Sequence, residues 1–83
     1  MKALAIRRKS DNCYFDAGNF YMSLYHGDDQ STALENAFMS DKPSNGSFSS
    51  EDFRSDLESI ITVLKSFDIL AEIVEMEITE IKQ

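Results

Sequence analysis

Apolar and polar residues alternate from the first positions of the chain. Across residues 2–8, Leu4 and Ile6 fall on one side and Ala3, Ala5 and Arg7 on the other, which predicts a half-buried strand. Lys9-Ser10-Asp11-Asn12 is turn chemistry, because Asp and Asn tolerate left-handed backbone and bond their own main chain. Alternation resumes at Cys13-Tyr14-Phe15-Asp16 with Cys13 and Phe15 inward, so residues 2–16 read as a β-hairpin. After a break at Ala17-Gly18-Asn19, Phe20, Met22 and Leu24 lie on one side and Tyr21 and Tyr25 on the other. This predicts a third strand, ended by His26-Gly27-Asp28-Asp29.

The period then changes. Thr32-Ala33-Leu34-Glu35 fits a capping box and predicts a short helix over 32–39 that buries Leu34 and Phe38, with a fourth short strand as the alternative. Residues 40–50 hold the only proline, Pro43, together with Asn45-Gly46 and several serines, and read as a flexible loop. Ser49 or Ser50 then caps the main helix, with Glu51 and Asp52 at the positive end of its dipole. Phe53, Leu57, Ile60, Ile61, Leu64 and Phe67 recur at three- and four-residue steps as one apolar stripe. Asp68 ends that helix, and Ile69 to Ile81 returns to period two. Leu70, Val74, Met76 and Ile78 are expected to face the helix, with Glu75, Glu77, Thr79, Ile73 and Ile81 outward.

The predicted fold is α+β: an antiparallel sheet of three to four strands with one long amphipathic helix packed on one face, in the order β-β-β-short α-α-β. At 83 residues, one domain over 1–83 is expected. The single cysteine, Cys13, excludes an internal disulfide. No apolar run approaches the roughly 18–20 residues that span a bilayer. A reducing cytoplasm is the expected location.

Charge is lopsided. Residues 1–25 carry Lys2, Arg7, Arg8 and Lys9 against Asp11 and Asp16, whereas residues 26–83 carry four bases against thirteen acids, for a net charge of −7. Such a surface repels nucleic acid and anionic membranes and attracts basic partners. Its plainer role is to keep a small protein in solution.

Little in the chain points to catalysis. Cys13 and His26 are the only thiol and imidazole, and Cys13 falls on an inward strand face, where cysteine acts as a small hydrophobe. One Cys and one His do not fill a zinc site, and Asp28-Asp29 fits turn chemistry better than a cation loop. Neither an enzyme nor a cofactor is expected.

Two binding surfaces are expected instead. The first is an acidic face: Glu51, Asp52, Asp56 and Glu58 on the helix, with Glu72, Glu75, Glu77 and Glu80 toward the end of the chain. Glu75 and Glu77 would point the same way about 6.7 Å apart. The second is an apolar patch of Tyr21, Tyr25, Ile73 and Ile81, suited to oligomerisation. A third reading places weak nucleic-acid binding on the basic Arg7-Arg8-Lys9 turn beside Tyr14.

The opening Ile6-Arg7-Arg8-Lys9-Ser10-Asp11-Asn12-Cys13-Tyr14-Phe15 and the closing Ala71-Glu72-Ile73-Val74-Glu75-Met76-Glu77-Ile78 resemble the ends of small phage-encoded accessory proteins. The resemblance implies a group that includes host-takeover and anti-defence factors, and it supplies no site residues. The functional expectation is a small acidic, non-enzymatic protein that binds a basic surface of a host protein, by imitation of nucleic acid.

Overall fold

The computed structural model describes residues 2–77. Strand β1 runs Lys2–Arg8, helix α1 Ala17–Tyr25, helix α2 Gln30–Asn36, helix α3 Arg54–Ser66 and strand β2 Ala71–Glu77. Single 3₁₀ turns occupy Asn45–Ser47 and Glu51–Phe53. The fold is α+β, as expected. Among the described residues, however, the sheet has two strands rather than three or four, and there are three helices rather than one long and one short.

β1 is bonded along both edges. On one side it pairs antiparallel with β2, Lys2 facing Glu77 and Arg8 facing Ala71. On the other, Leu4 exchanges both backbone bonds with Ser49 (2.7 and 2.8 Å), Arg8 N–H donates to the Cys13 carbonyl (2.7 Å), and Phe15 N–H donates to that of Ile6 (2.8 Å). The expected hairpin over 2–16 does not form as two strands: after the turn, residues 13–16 meet β1 in a single isolated bridge, Arg7 with Tyr14, while Phe15 bridges Phe38. Residues Ala3–Ile6 are all buried, so the strand is covered on both faces.

Residues directly opposite in an antiparallel pair share a face. Ile73 stands across from Ile6 and Glu75 from Leu4, so β2 turns Ala71 and Ile73 toward the core and Val74 and Met76 to the far face, with Ala5 and Ala3. This reverses the expectation for Leu70, Val74, Met76 and Ile73, and Leu70 is 59% exposed. The segment carries apolar residues on both parities, and a one-residue change of register swaps every side chain. Ile78 and Thr79 lie outside the described residues.

The expected third strand is helix α1. Asp16, in extended backbone, accepts the Asn19 N–H at its start. Ala17, Phe20, Tyr21 and Leu24 then follow helical steps, a period hidden inside the shorter alternation of Phe20, Met22 and Leu24. The helix stops where Gly27 turns left-handed (φ 96°), with Gly27 N–H on Leu24 and Asp28 N–H on Ser23. α3 ends the same way: Asp68 (φ 64°) donates to Lys65 and Ile69 to Leu64, and both Ile69 and Leu64 are buried. α2 starts at Gln30 because the Asp29 carboxylate accepts the Thr32 N–H (2.8 Å), which takes the place of the expected Thr32–Glu35 capping box.

The core gathers Leu4, Ile6, Phe15, Leu34, Ala37, Phe38, Leu57, Leu64 and Ile69, with Phe15 ringed by Phe20 (5.8 Å) and Phe38 (5.5 Å). Leu34 and Phe38 are buried as expected. Ser50 caps the 3₁₀ turn ahead of α3, whose Leu57 and Leu64 are buried while Ile60, Ile61 and Phe67 pack partly against the core. Phe53, in the tighter 3₁₀ turn, leaves the stripe and is 54% exposed.

Residues 40–50 cross the molecule between two anchors. Ser44 Oγ donates to Asp16 Oδ2 (2.6 Å), and Ser49 pairs with β1. Asp16 thus caps α1 and ties down the loop at once. A Cβ on Gly46 would overlap its carboxylate.

The Ser44 hydrogen bond and the Asn19 and Gly18 amides hold the Asp16 carboxyl below its usual range, against the opposing effect of partial burial. Its folded pKa lies below the unfolded one, so its stabilisation is complete above about pH 4 and fades as pH falls through the lower folded value. Asp16→Ala should cost about 1–2 kcal/mol in urea unfolding near neutral pH, and the gap to wild type should shrink by about pH 3. Gly46→Ala should cost about 1–3 kcal/mol, since Asp16 must move. A constant gap across pH would mean that Asp16 acts without its charge.

Candidate interaction surface

The carboxylates expected to form one acidic face divide into two sets. Arg54, at the start of α3, reaches Glu51 (2.8 Å) in the preceding 3₁₀ turn and Glu75 (3.1 Å) on β2, and Lys2 approaches Glu75 at 3.7 Å. Arg7 holds Glu72 at 2.7 Å. The Arg54 and Arg7 hydrogen bonds keep Glu51 and Glu72 below the ordinary carboxylate range, so both stay charged but neutralised by a neighbour. Pairs this exposed contribute about 0–1 kcal/mol each to stability. What they change is the surface, because an approaching partner meets a cation beside each carboxylate. Glu77 stands opposite Lys2 in the sheet register, and Glu80 lies outside the described residues.

Asp52, Asp56 and Glu58 form the second set. All three are exposed, and none has a salt bridge among the described residues. Asp52 and Asp56 sit in the first turns at the N-terminal end of the α3 segment, where the helix dipole favours negative charge. Asp56 shares a face with Ile60 and Val63, four and seven residues on.

Ile60 and Val63 form one wall of an apolar cleft of about 190 Å³. The opposite wall is Ala17, Phe20 and Tyr21 of α1, Phe15 and Leu34 lie beneath, and Gln30 of α2 is the polar residue at its edge. The α1 surface beside it is unusually apolar for an exposed helix: Tyr21 is 65% exposed, Tyr25 83%, and Met22 and Leu24 are also open. Neither α1 nor α2 contains a Lys or Arg. Asp29, just before Gln30, keeps its carboxylate charged through the Thr32 amide.

The expected apolar patch does not assemble as drawn. Tyr21 and Tyr25 share a face of α1 one turn apart, but Ile73 packs against the core and Ile81 lies outside the described residues. The apolar surface is instead α1 with the cleft beside it. The helical spacing of Ala17, Phe20, Tyr21 and Leu24 behind a capping Asp16 was the signal for it in the sequence.

Of the basic turn, Arg7 is held by Glu72, while Arg8 is bound by Asp11 (2.7 Å) and Glu35 (2.9 Å) and lies over the Phe38 ring at 4.7 Å. Lys9 alone projects without an ion pair among the described residues. Burial and the neighbouring Asp11 push the Cys13 thiol up, which suits its place against the core, and His26 lies edge-on to Tyr25 at 5.5 Å. Among the described residues no three His, Cys, Asp or Glu converge as metal ligands, and no helix is long and apolar enough to cross a membrane.

Comparison of the chain with family models, curated proteins and solved structures gave no match.

The cleft walls and floor should separate in stability measurements. Leu34→Ala should cost about 2–4 kcal/mol in urea unfolding, whereas Tyr21→Ala and Val63→Ala should each cost less than about 1 kcal/mol. Equal losses at all three positions would make the walls part of the core rather than an open surface.

Proposed function

We propose that this chain is a small non-enzymatic binding protein that engages a basic surface of a protein partner through carboxylates that form no salt bridge with its own cations. The observation that carries this reading is the division among the acids. Arg7, Arg54 and Lys2 are spent on Glu72, Glu51 and Glu75. Asp52 in the 3₁₀ turn and Asp56 and Glu58 on α3 form no salt bridge among the described residues, Glu58 being one turn from Arg54. Fixed charges on a helix lose little conformational freedom when a partner docks, and the net charge of −7 accelerates encounter with a cationic surface.

An uninterrupted acidic array of the kind nucleic-acid imitation calls for is broken at Glu51, Glu72 and Glu75 by the cations beside them. The reading is therefore a local one, centred on α3. Association should be fast at low salt and weaken as ionic strength rises, because exposed charges are screened within about 8–10 Å at physiological salt.

Oligolysine, followed by fluorescence anisotropy, is the simplest probe. Neutralising the α3 set (Asp52→Asn, Asp56→Asn and Glu58→Gln together) should weaken its binding roughly tenfold at low salt, and Glu72→Gln with Glu75→Gln by less than about twofold. If both combinations weaken binding equally, or if added salt changes nothing, the reading is wrong.

A further inference from the structure

We infer that the cleft between α1, α2 and α3 receives an amphipathic basic helix from a partner protein, with its apolar side chains seated between Tyr21 and Val63 and its cations set against Asp29 and Asp56. The inference rests on the reading above and adds what the basic partner must look like.

The size of the cleft excludes most alternatives. At about 190 Å³ it falls below the roughly 300–1,000 Å³ of small-molecule sites and suits one or two apolar side chains of a larger ligand. Its walls are helices whose backbone groups already bond within their own turns. An extended segment laid between them would find no ladder for its amides, whereas a helix satisfies its own and offers side chains at i and i+4.

Charge selects the sign of the partner. α1 and α2 hold no Lys or Arg; from α3 the cleft is lined by Ile60 and Val63, and Asp56 lies one turn before Ile60 on the same side of the helix. Lys65 lies two residues from Val63, about 200° around the helix and away from the cleft. A docked helix therefore meets no cation among the residues that line the cleft, with Asp29 next to the lining Gln30 and Asp56 one turn from the lining Ile60. A second copy of this chain would bring the same acids and the same net charge of −7 to the contact, which opposes self-association there.

Three labelled synthetic peptides test this by anisotropy: a Leu–Lys peptide with leucines at helical spacing, the same composition scrambled, and a version with Ser for Leu. The patterned peptide should bind about tenfold tighter than the other two. Val63→Arg, which sets a cation at the mouth, and Tyr21→Ala should each weaken it by about tenfold, while Lys65→Ala should leave it unchanged. Thermal melts of both cleft variants establish that they fold.

Equal binding of the three peptides, weakened alike by neutralising Asp52, Asp56 and Glu58, would overturn the cleft and leave the basic-partner reading standing. Patterned binding indifferent to that neutralisation would overturn the basic-partner reading, and this inference with it. A dimer in light scattering that Val63→Arg dissociates would assign the cleft to a second copy and overturn the inference.

Discussion

Strand β1 sits between two sets of hydrogen bonds, and the rest of the molecule is registered to it. β2 takes one edge, while Cys13, Phe15 and Ser49 take the other. Its buried backbone thus finds partners from three separate stretches of the chain, which it needs because Ala3–Ile6 have almost no contact with water. The alanines at 3 and 5 carry a consequence: small side chains on the far face let neighbouring groups cover them, whereas large ones would stand out from a sheet of two strands. Once Leu4 and Ile6 are fixed inward, Phe15 follows through its bond to Ile6 and brings α1 and α2 with it through Phe20 and Phe38.

Segments with a single period were legible in the sequence, and segments with two were not. Lys2–Arg8 and the stripe from Leu57 to Phe67 each admit one periodicity, and both form the element expected. Phe20 to Tyr25 satisfies alternation and helical spacing together. The choice was made outside the segment, by the Asp16 carboxylate at its start and the left-handed Gly27 at its end. Residues Ile69 to Glu77 failed differently: the strand was evident, but Ile73 and Val74 offer equal claims to the core. The register with β1 decides between them, and that register is a long-range fact no local pattern contains.

Electrostatics follows the same division between local and distant causes. Counting acids along the chain identifies where negative charge is dense, and α3 with β2 is indeed that region. Whether the charge is open to a partner depends on cations brought in from elsewhere. Arg7 arrives from β1 to hold Glu72, Lys2 reaches Glu75 from the same strand, and Arg54 bridges α3 and β2. The basic start of the chain, which alone suggested phosphate binding, is largely consumed in this way, with Arg8 sealed between Asp11, Glu35 and Phe38.

The open cleft and the unpaired Asp56 beside it have a common origin. α1 is held at its ends, by Asp16 with the Ser44 loop at one and by the Gly27 turn at the other, and on its inner side by the Phe20 ring against Phe15. With those attachments made, nothing further in the core requires α1 to close against α3, and Tyr21 and Val63 stay partly open across the gap between them. α3 in turn is secured by Leu57, Leu64 and Arg54, all on other faces than Asp56. An apolar opening and the unpaired Asp56 thus come to lie side by side on a surface that the fold's own contacts do not use. A burial-driven interaction placed there draws on apolar area the fold has not already spent, and the flanking carboxylates decide which apolar surfaces are admitted.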